Sequence, residues 1–161
     1  MNLLTLVFSA FLFLTSCSVN KNKISEMAVI ESSTALKAKV VSVTTSGEVG
    51  NYTFSVGISS PDKGCEQYAN WWEVISEDGE ILIYRRILGH SHVNEQPFVR
   101  SGAVTISDTQ VVIIRAHMNT SGYGTTVFKG SVSTGFTEFI TTENFASNLS
   151  TKAPLPSNCT S

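Results

Sequence analysis

Apolar and polar residues alternate most cleanly at Tyr52, Phe54, Val56 and Ile58, with Thr53, Ser55 and Gly57 between them. A period of two puts each set on its own face of an extended strand, so one face of this segment is predicted to be buried. Val40, Val41 and Val43 predict an earlier strand, with turn residues at Ser46-Gly47 and Gly50-Asn51. Ser59 to Tyr68 reads as a loop carrying Pro61, Gly64 and Cys65. Trp71–Ile75 and Ile81–Leu88 read as strands joined through the hairpin turn Glu77-Asp78-Gly79-Glu80. Beyond a polar loop at Gly89–Pro97, strands are predicted at Phe98–Ile106, Val111–Met118 and Thr126–Val132, with Phe136–Ile140 adding one more. Seven or eight short strands, with turn signals about every 8–12 residues, predict an all-β sandwich or barrel, and we favour a single sandwich.

Parity sharpens the Val111–Met118 strand. Val112, Ile114, Ala116 and Met118 share one face, while Val111, Ile113, Arg115 and His117 share the other. Arg115 and His117 are therefore expected to point out of the core together. The run Val111-Val112-Ile113-Ile114-Arg115-Ala116, followed by Ser121-Gly122-Tyr123-Gly124, resembles the late strand and turn of an immunoglobulin-like or fibronectin type III domain. That resemblance covers residues 38 to about 133 and implies a core Trp at Trp71 or Trp72. The cysteines are not placed as in antibody domains, so no bridge between the sheets is expected.

The N-terminus has a different pattern. Leu3 to Leu14 is nearly all apolar, suited to a signal-peptide core and shorter than the roughly 20 residues a membrane span takes. It ends in Leu14-Thr15-Ser16-Cys17, which resembles the lipobox of bacterial lipoproteins. The resemblance implies cleavage before Cys17, a lipid on its thiol and a place in the bacterial cell envelope. Ser18 would suit the outer membrane. Met1-Asn2 departs from the pattern, lacking the usual Lys or Arg. An ordinary cleaved signal is the alternative. The expected organisation is a signal peptide over 1–16, a lipid anchor and flexible tether over 17–37, the sandwich over 38–142, and a tail over 143–161. If Cys17 is lipidated, Cys65 and Cys159 remain, and outside the cytoplasm such a pair is expected to form a disulfide that staples the tail.

Charge narrows the candidate chemistry. A net charge of −2 leaves no basic surface for nucleic acid. Four Asn-x-Ser/Thr triplets, at Asn51, Asn119, Asn148 and Asn158, read as coincidence in a chain rich in Ser, Thr and Asn. Every His and Arg, however, lies between Arg85 and His117. His90-Ser91-His92 places two imidazoles on one side of an extended chain, and Glu95 and His117 could complete a Zn or Cu site. The order His90, His92, Glu95, Gly102 resembles the first cupin motif. The Glu stands one residue early, though, and Tyr84 occupies the place of the expected Gly. The plainer reading is a polar loop with surface histidines and no cofactor.

Arg85, Arg86, Arg100 and Arg115 could hold an anion or could pair across strands with Glu73, Glu77 and Glu80. Of Trp71 and Trp72, one is expected in the core. The other could stack on a sugar, grip a protein or pack under the Cys65 loop. No Gly-x-Ser-x-Gly elbow or His-Glu-x-x-His helix motif is present. The chain therefore reads as a membrane-anchored binding or interaction module for a protein or glycan, rather than as an enzyme. A cupin-like metalloprotein is the alternative.

Overall fold

The computed structural model describes residues 37–160, so the expected signal peptide, Cys17 and all but the last residue of the expected tether lie outside the described residues. Nine strands form two antiparallel sheets: β1 (Lys39–Glu48), β2 (Asn51–Ser59), β3 (Ala69–Ser76), β4 (Leu82–Ile87), β5 (Phe98–Val104), β6 (Val112–Met118), β7 (Gly122–Tyr123), β8 (Thr126–Ser131) and β9 (Gly135–Ile140). One sheet has the order β1-β2-β5; the other has β4-β3-β6-β8-β9, with β7 paired to β6. The fold is an all-β sandwich. The extra element beyond the expected strands is β7, two residues long within the turn after β6.

The alternation at Tyr52–Ile58 faces inward as its period requires. Tyr52, Phe54, Val56 and Ile58 join Trp72, Val74, Val112, Ile114, Ala116 and Met118 between the sheets. The outward residues of the three-stranded sheet line up through its register: Thr44 opposite Ser55 opposite Ser101, and Ser46 opposite Thr53 opposite Ala103. Gly124 sits in the turn after β7 because nothing larger fits. A Cβ there would lie 1.8 Å from the Ala38 carbonyl oxygen, just ahead of β1.

The centre of the six-stranded sheet, β3 and β6, is buried on both faces. The sheet's outer side carries Ile75, Ile113 and Val127, which pack with Leu149 as a second apolar cluster. Leu149 belongs to a 3-10 turn, Ser147–Thr151, in the segment after β9. The expected tail stapled by a disulfide is thus also packed against the sheet. The segment is a strap over the sheet, with Leu149 wholly buried. The disulfide does form: Cys65 and Cys159 are bonded, with Cα atoms 5.5 Å apart.

Candidate functional site

Beneath the strap, three charged side chains from three neighbouring strands meet. Register sets Glu73 of β3 opposite both Arg85 of β4 and Arg115 of β6. Residues directly opposite in a ladder share a face, so all three point outward under the strap. Arg85 Nε donates to Glu73 Oε2 at 2.7 Å, and Arg115 Nε donates to Oε1 at 2.8 Å. Each carboxylate oxygen thus meets one guanidinium, and all three side chains are essentially without solvent contact.

One carboxylate balances only one of the two cations. The remaining donors go mostly to backbone carbonyls of the strap, with Arg85 Nη2 also reaching the Tyr123 hydroxyl at 3.3 Å. Arg115 reaches Phe145 O at 2.7 Å and Ala146 O at 2.9 Å, while Arg85 reaches Leu149 O at 2.7 Å, Pro154 O at 3.1 Å and Lys152 O. The fork of guanidinium donors suits this task, because it serves several acceptors in one plane. It also satisfies carbonyls of an irregular segment that no strand pairs.

Aromatic rings wall the cluster. Arg115 lies over Tyr123 with its Cζ 3.4 Å from the ring centre, and Arg85 lies over Trp71 at 4.4 Å. Burial, reinforced by the Glu73 charge, pushes the Tyr123 hydroxyl up to about 12. His117 stacks flat on Trp71 at 3.7 Å between ring centres, and its Nδ1 meets Asn70 Oδ1 at 2.8 Å. Burial first, then the charges of Arg85, Arg115 and Lys37, lower its pKa to about 3, so the ring is neutral at physiological pH. The arrangement holds a strap, and its donors are committed to that task.

These positions correct several expectations. Trp71, Trp72, Arg85 and Arg115 are not a ligand surface: each is 5% exposed or less, with Trp72 between the sheets and the other three under the strap. The expected pairing of arginines with Glu73 does occur, twice. Glu77, however, pairs with Lys129, and Arg100 pairs with Glu95. Arg86 is exposed on β4.

The proposed metal ligands His90, His92, Glu95 and His117 do not converge. Among the described residues, no three His, Cys, Asp or Glu side chains gather closely enough to hold an ion. The physical reason is that each has another place. His117 lies against Trp71 and His92 against Phe98, both stacked at 3.7 Å, while Glu95 turns to Arg100 at 2.9 Å. His90 and His92 do lie side by side, with ring centres 4.4 Å apart.

At one end of the sandwich, Asp62 organises the loops. Its Oδ1 accepts from Ser60 Oγ at 2.7 Å and Ala69 N at 2.9 Å; its Oδ2 accepts from His92 N at 2.8 Å and Ser91 Oγ at 3.3 Å. Gly64, Cys65, His90, Ser91 and Thr160 line a cavity of about 400 Å³ beside the disulfide. Sequence reasoning missed Asp62 and the strap. Glu73 was visible as a lone acid in the apolar run Trp71–Ile75, which is the signature of a charge taken inside with a partner.

No family model matches the chain. A protein of Halomicrobium mukohataei described as "Putative lipoprotein" is 38% identical over 90 residues, covering 55% of this chain and 44% of that protein. The chain thus spans less than half the length of the curated relative it matches. Among solved structures, a superoxide reductase (neelaredoxin) from Ignicoccus hospitalis aligns over 70% of this chain and 86% of its own, at 12% identity and a TM-score of 0.38. A likeness at that score carries no argument. Among the described residues, no helix is long and apolar enough to cross a membrane.

Proposed function

We propose that this chain is an envelope lipoprotein, anchored through a lipid on Cys17, whose sandwich is a binding module for a protein or glycan. The observation that carries the reading is Leu14-Thr15-Ser16-Cys17 at the end of an apolar segment. The lipoprotein description of the Halomicrobium mukohataei relative supports it. Two or three acyl chains, at about 0.8 kcal/mol per buried methylene, hold such a protein at a membrane without a spanning helix. An outer-membrane position rests on Ser18 alone.

The internal chemistry favours binding over catalysis. Glu73, Arg85 and Arg115 are occupied with one another and with the strap. Thr44, Ser46, Thr53, Ser101 and Ala103 instead form an exposed, uncharged outer face on the three-stranded sheet. The order β1-β2-β5 against β4-β3-β6-β8 supports the immunoglobulin-like reading of the sandwich. Fractionation of cells expressing the full chain tests the anchor. The protein is expected with the membranes, and Cys17→Ser is expected to release it. A wild-type chain found wholly in the soluble fraction would refute the proposal.

A further inference from the structure

His92 is an unusual histidine for a loop. It is 2% exposed, its ring stacks flat on Phe98 at the start of β5, and neither ring nitrogen has a hydrogen-bond partner. A neutral imidazole tolerates this, since stacking on Phe98 compensates part of the lost hydration. An imidazolium carries two N–H donors that would both be buried without acceptors.

Four charged or titratable groups act on the ring. Asp62 lies in the β2–β3 loop, Arg100 on β5, and His90 and Glu95 on the same loop as His92. The Asp62 Oδ2 stands 3.9 Å from His92 Nδ1, beyond hydrogen-bond reach. That oxygen already accepts from His92 N and Ser91 Oγ. Glu95 is held by Arg100. Burial, then Arg100 and His90, lowers the His92 pKa, and the two acids only partly oppose them.

The loop is pinned at its ends by Leu88 N to Asn70 O at 2.9 Å, Thr160 N to Gly89 O at 2.7 Å and the Gln96–Ser60 pair, and in its middle by contacts at His92. His92 N donates to Asp62, Gln96 Nε2 donates to His92 O at 3.2 Å, and Glu95 N donates to His92 O at 3.1 Å. In the closed loop neither N–H of a protonated ring has an acceptor within hydrogen-bond reach, so protonation favours a loop displaced from its present seat on Phe98. The facing loop, residues 60–68, is tied through Cys65–Cys159 to the C-terminal segment, whose Thr160 N donates to Gly89 O.

We propose that His92 is an acid-sensitive latch: protonating it loosens the loop 88–97 and widens the half-open cavity lined by His90, Ser91 and Cys65, while the sheets stay folded. This adds a control to the module and does not depend on what the module binds.

The direction follows from linkage. The closed loop favours the neutral ring, so closure is at full strength above the ordinary histidine value near 6.5 and weakens as pH falls toward the depressed value. Each pH unit in that window shifts the opening equilibrium up to about tenfold.

Hydrogen exchange on the full chain in detergent, read by mass spectrometry at pH 7.5 and 5.0 and corrected for intrinsic rates, tests the latch. Peptides over 88–97 should lose protection by up to about thirtyfold, with β6 unchanged, and His92→Phe should flatten the response. Equal protection at both pH values, or the same loss in His92→Phe, overturns the proposal. Should His92→Phe fail to fold, NMR titration of the histidine rings in the wild-type chain decides. A His92 midpoint well below 6.5 supports the latch, and one at or above 6.5 overturns it.

Discussion

Replacing Glu73 with Gln removes the only negative charge between two buried guanidiniums while keeping the side chain's shape. In the native protein each carboxylate oxygen takes an Nε–H, at 2.7 and 2.8 Å, and none of the three side chains has more than 2% exposure. In Glu73→Gln one oxygen still accepts, but the amide NH2 faces the other guanidinium, donor against donor, and two cations stay buried. Breaking a buried pair in this way costs about 3–5 kcal/mol, a large share of the roughly 5–15 kcal/mol that stabilises most domains. At this domain size the loss corresponds to a fall in Tm of roughly 10–20 °C. Urea unfolding with the disulfide intact, followed by Trp fluorescence, measures it. Combining Glu73→Gln with Arg115→Met removes one of the stranded cations, so the pair should cost clearly less than the sum of the two single changes. A Glu73→Gln protein within about 1 kcal/mol of wild type would refute the reasoning, and with it the view that this cluster holds the strap.

Other consequences follow from the same contacts. Leu149→Ala empties the centre of the outer apolar cluster and should cost about 2–5 kcal/mol in urea unfolding, with exchange protection lost first over residues 145–152. Reducing the Cys65–Cys159 bond, which spans 94 residues, should cost no more than about 4–5 kcal/mol, and a Tm unchanged by reductant would contradict its role. Gly124→Ala drives a Cβ into the Ala38 carbonyl and should destabilise by about 1–3 kcal/mol or more, readable as a lower Tm. His117, with its pKa lowered to about 3, should show flat ring chemical shifts from pH 8 to 5. Its contribution to stability is complete above about 6.5 and declines as pH falls toward 3, so a midpoint above 5 would contradict its burial against Trp71.

The sandwich was legible in the sequence because its strands obey a period of two wherever one face is apolar. Tyr52–Ile58 and the even positions of Val112–Met118 turned inward as their alternation requires. The site was less legible for a reason of the same kind. Parity sent Arg115 and His117 away from the sandwich core, and that much held, but parity says nothing about what lies over the outer face. The residues that cover it, Phe145 to Pro154, are short and turn-rich, and they dock through Leu149 with Phe145 and Ala146 beside it rather than through any periodic apolar run. Their hold comes from backbone carbonyls, which are the same in every residue and leave no mark in composition. The histidines misled for a related reason. His-x-His spacing tells which side of an extended chain two rings share, whereas stacking on Phe98 and Trp71 decides where they rest.

The mass of the mature N-terminus decides whether Cys17 carries the anchor. The full chain, expressed in a bacterial host with its own signal and recovered from membranes, would be digested and its N-terminal peptide weighed. The account predicts a peptide beginning at Cys17 and heavier than its sequence by a thioether-linked diacylglycerol, with or without a further acyl chain on the amine. A peptide beginning elsewhere, or beginning at Cys17 with a free thiol, would contradict it.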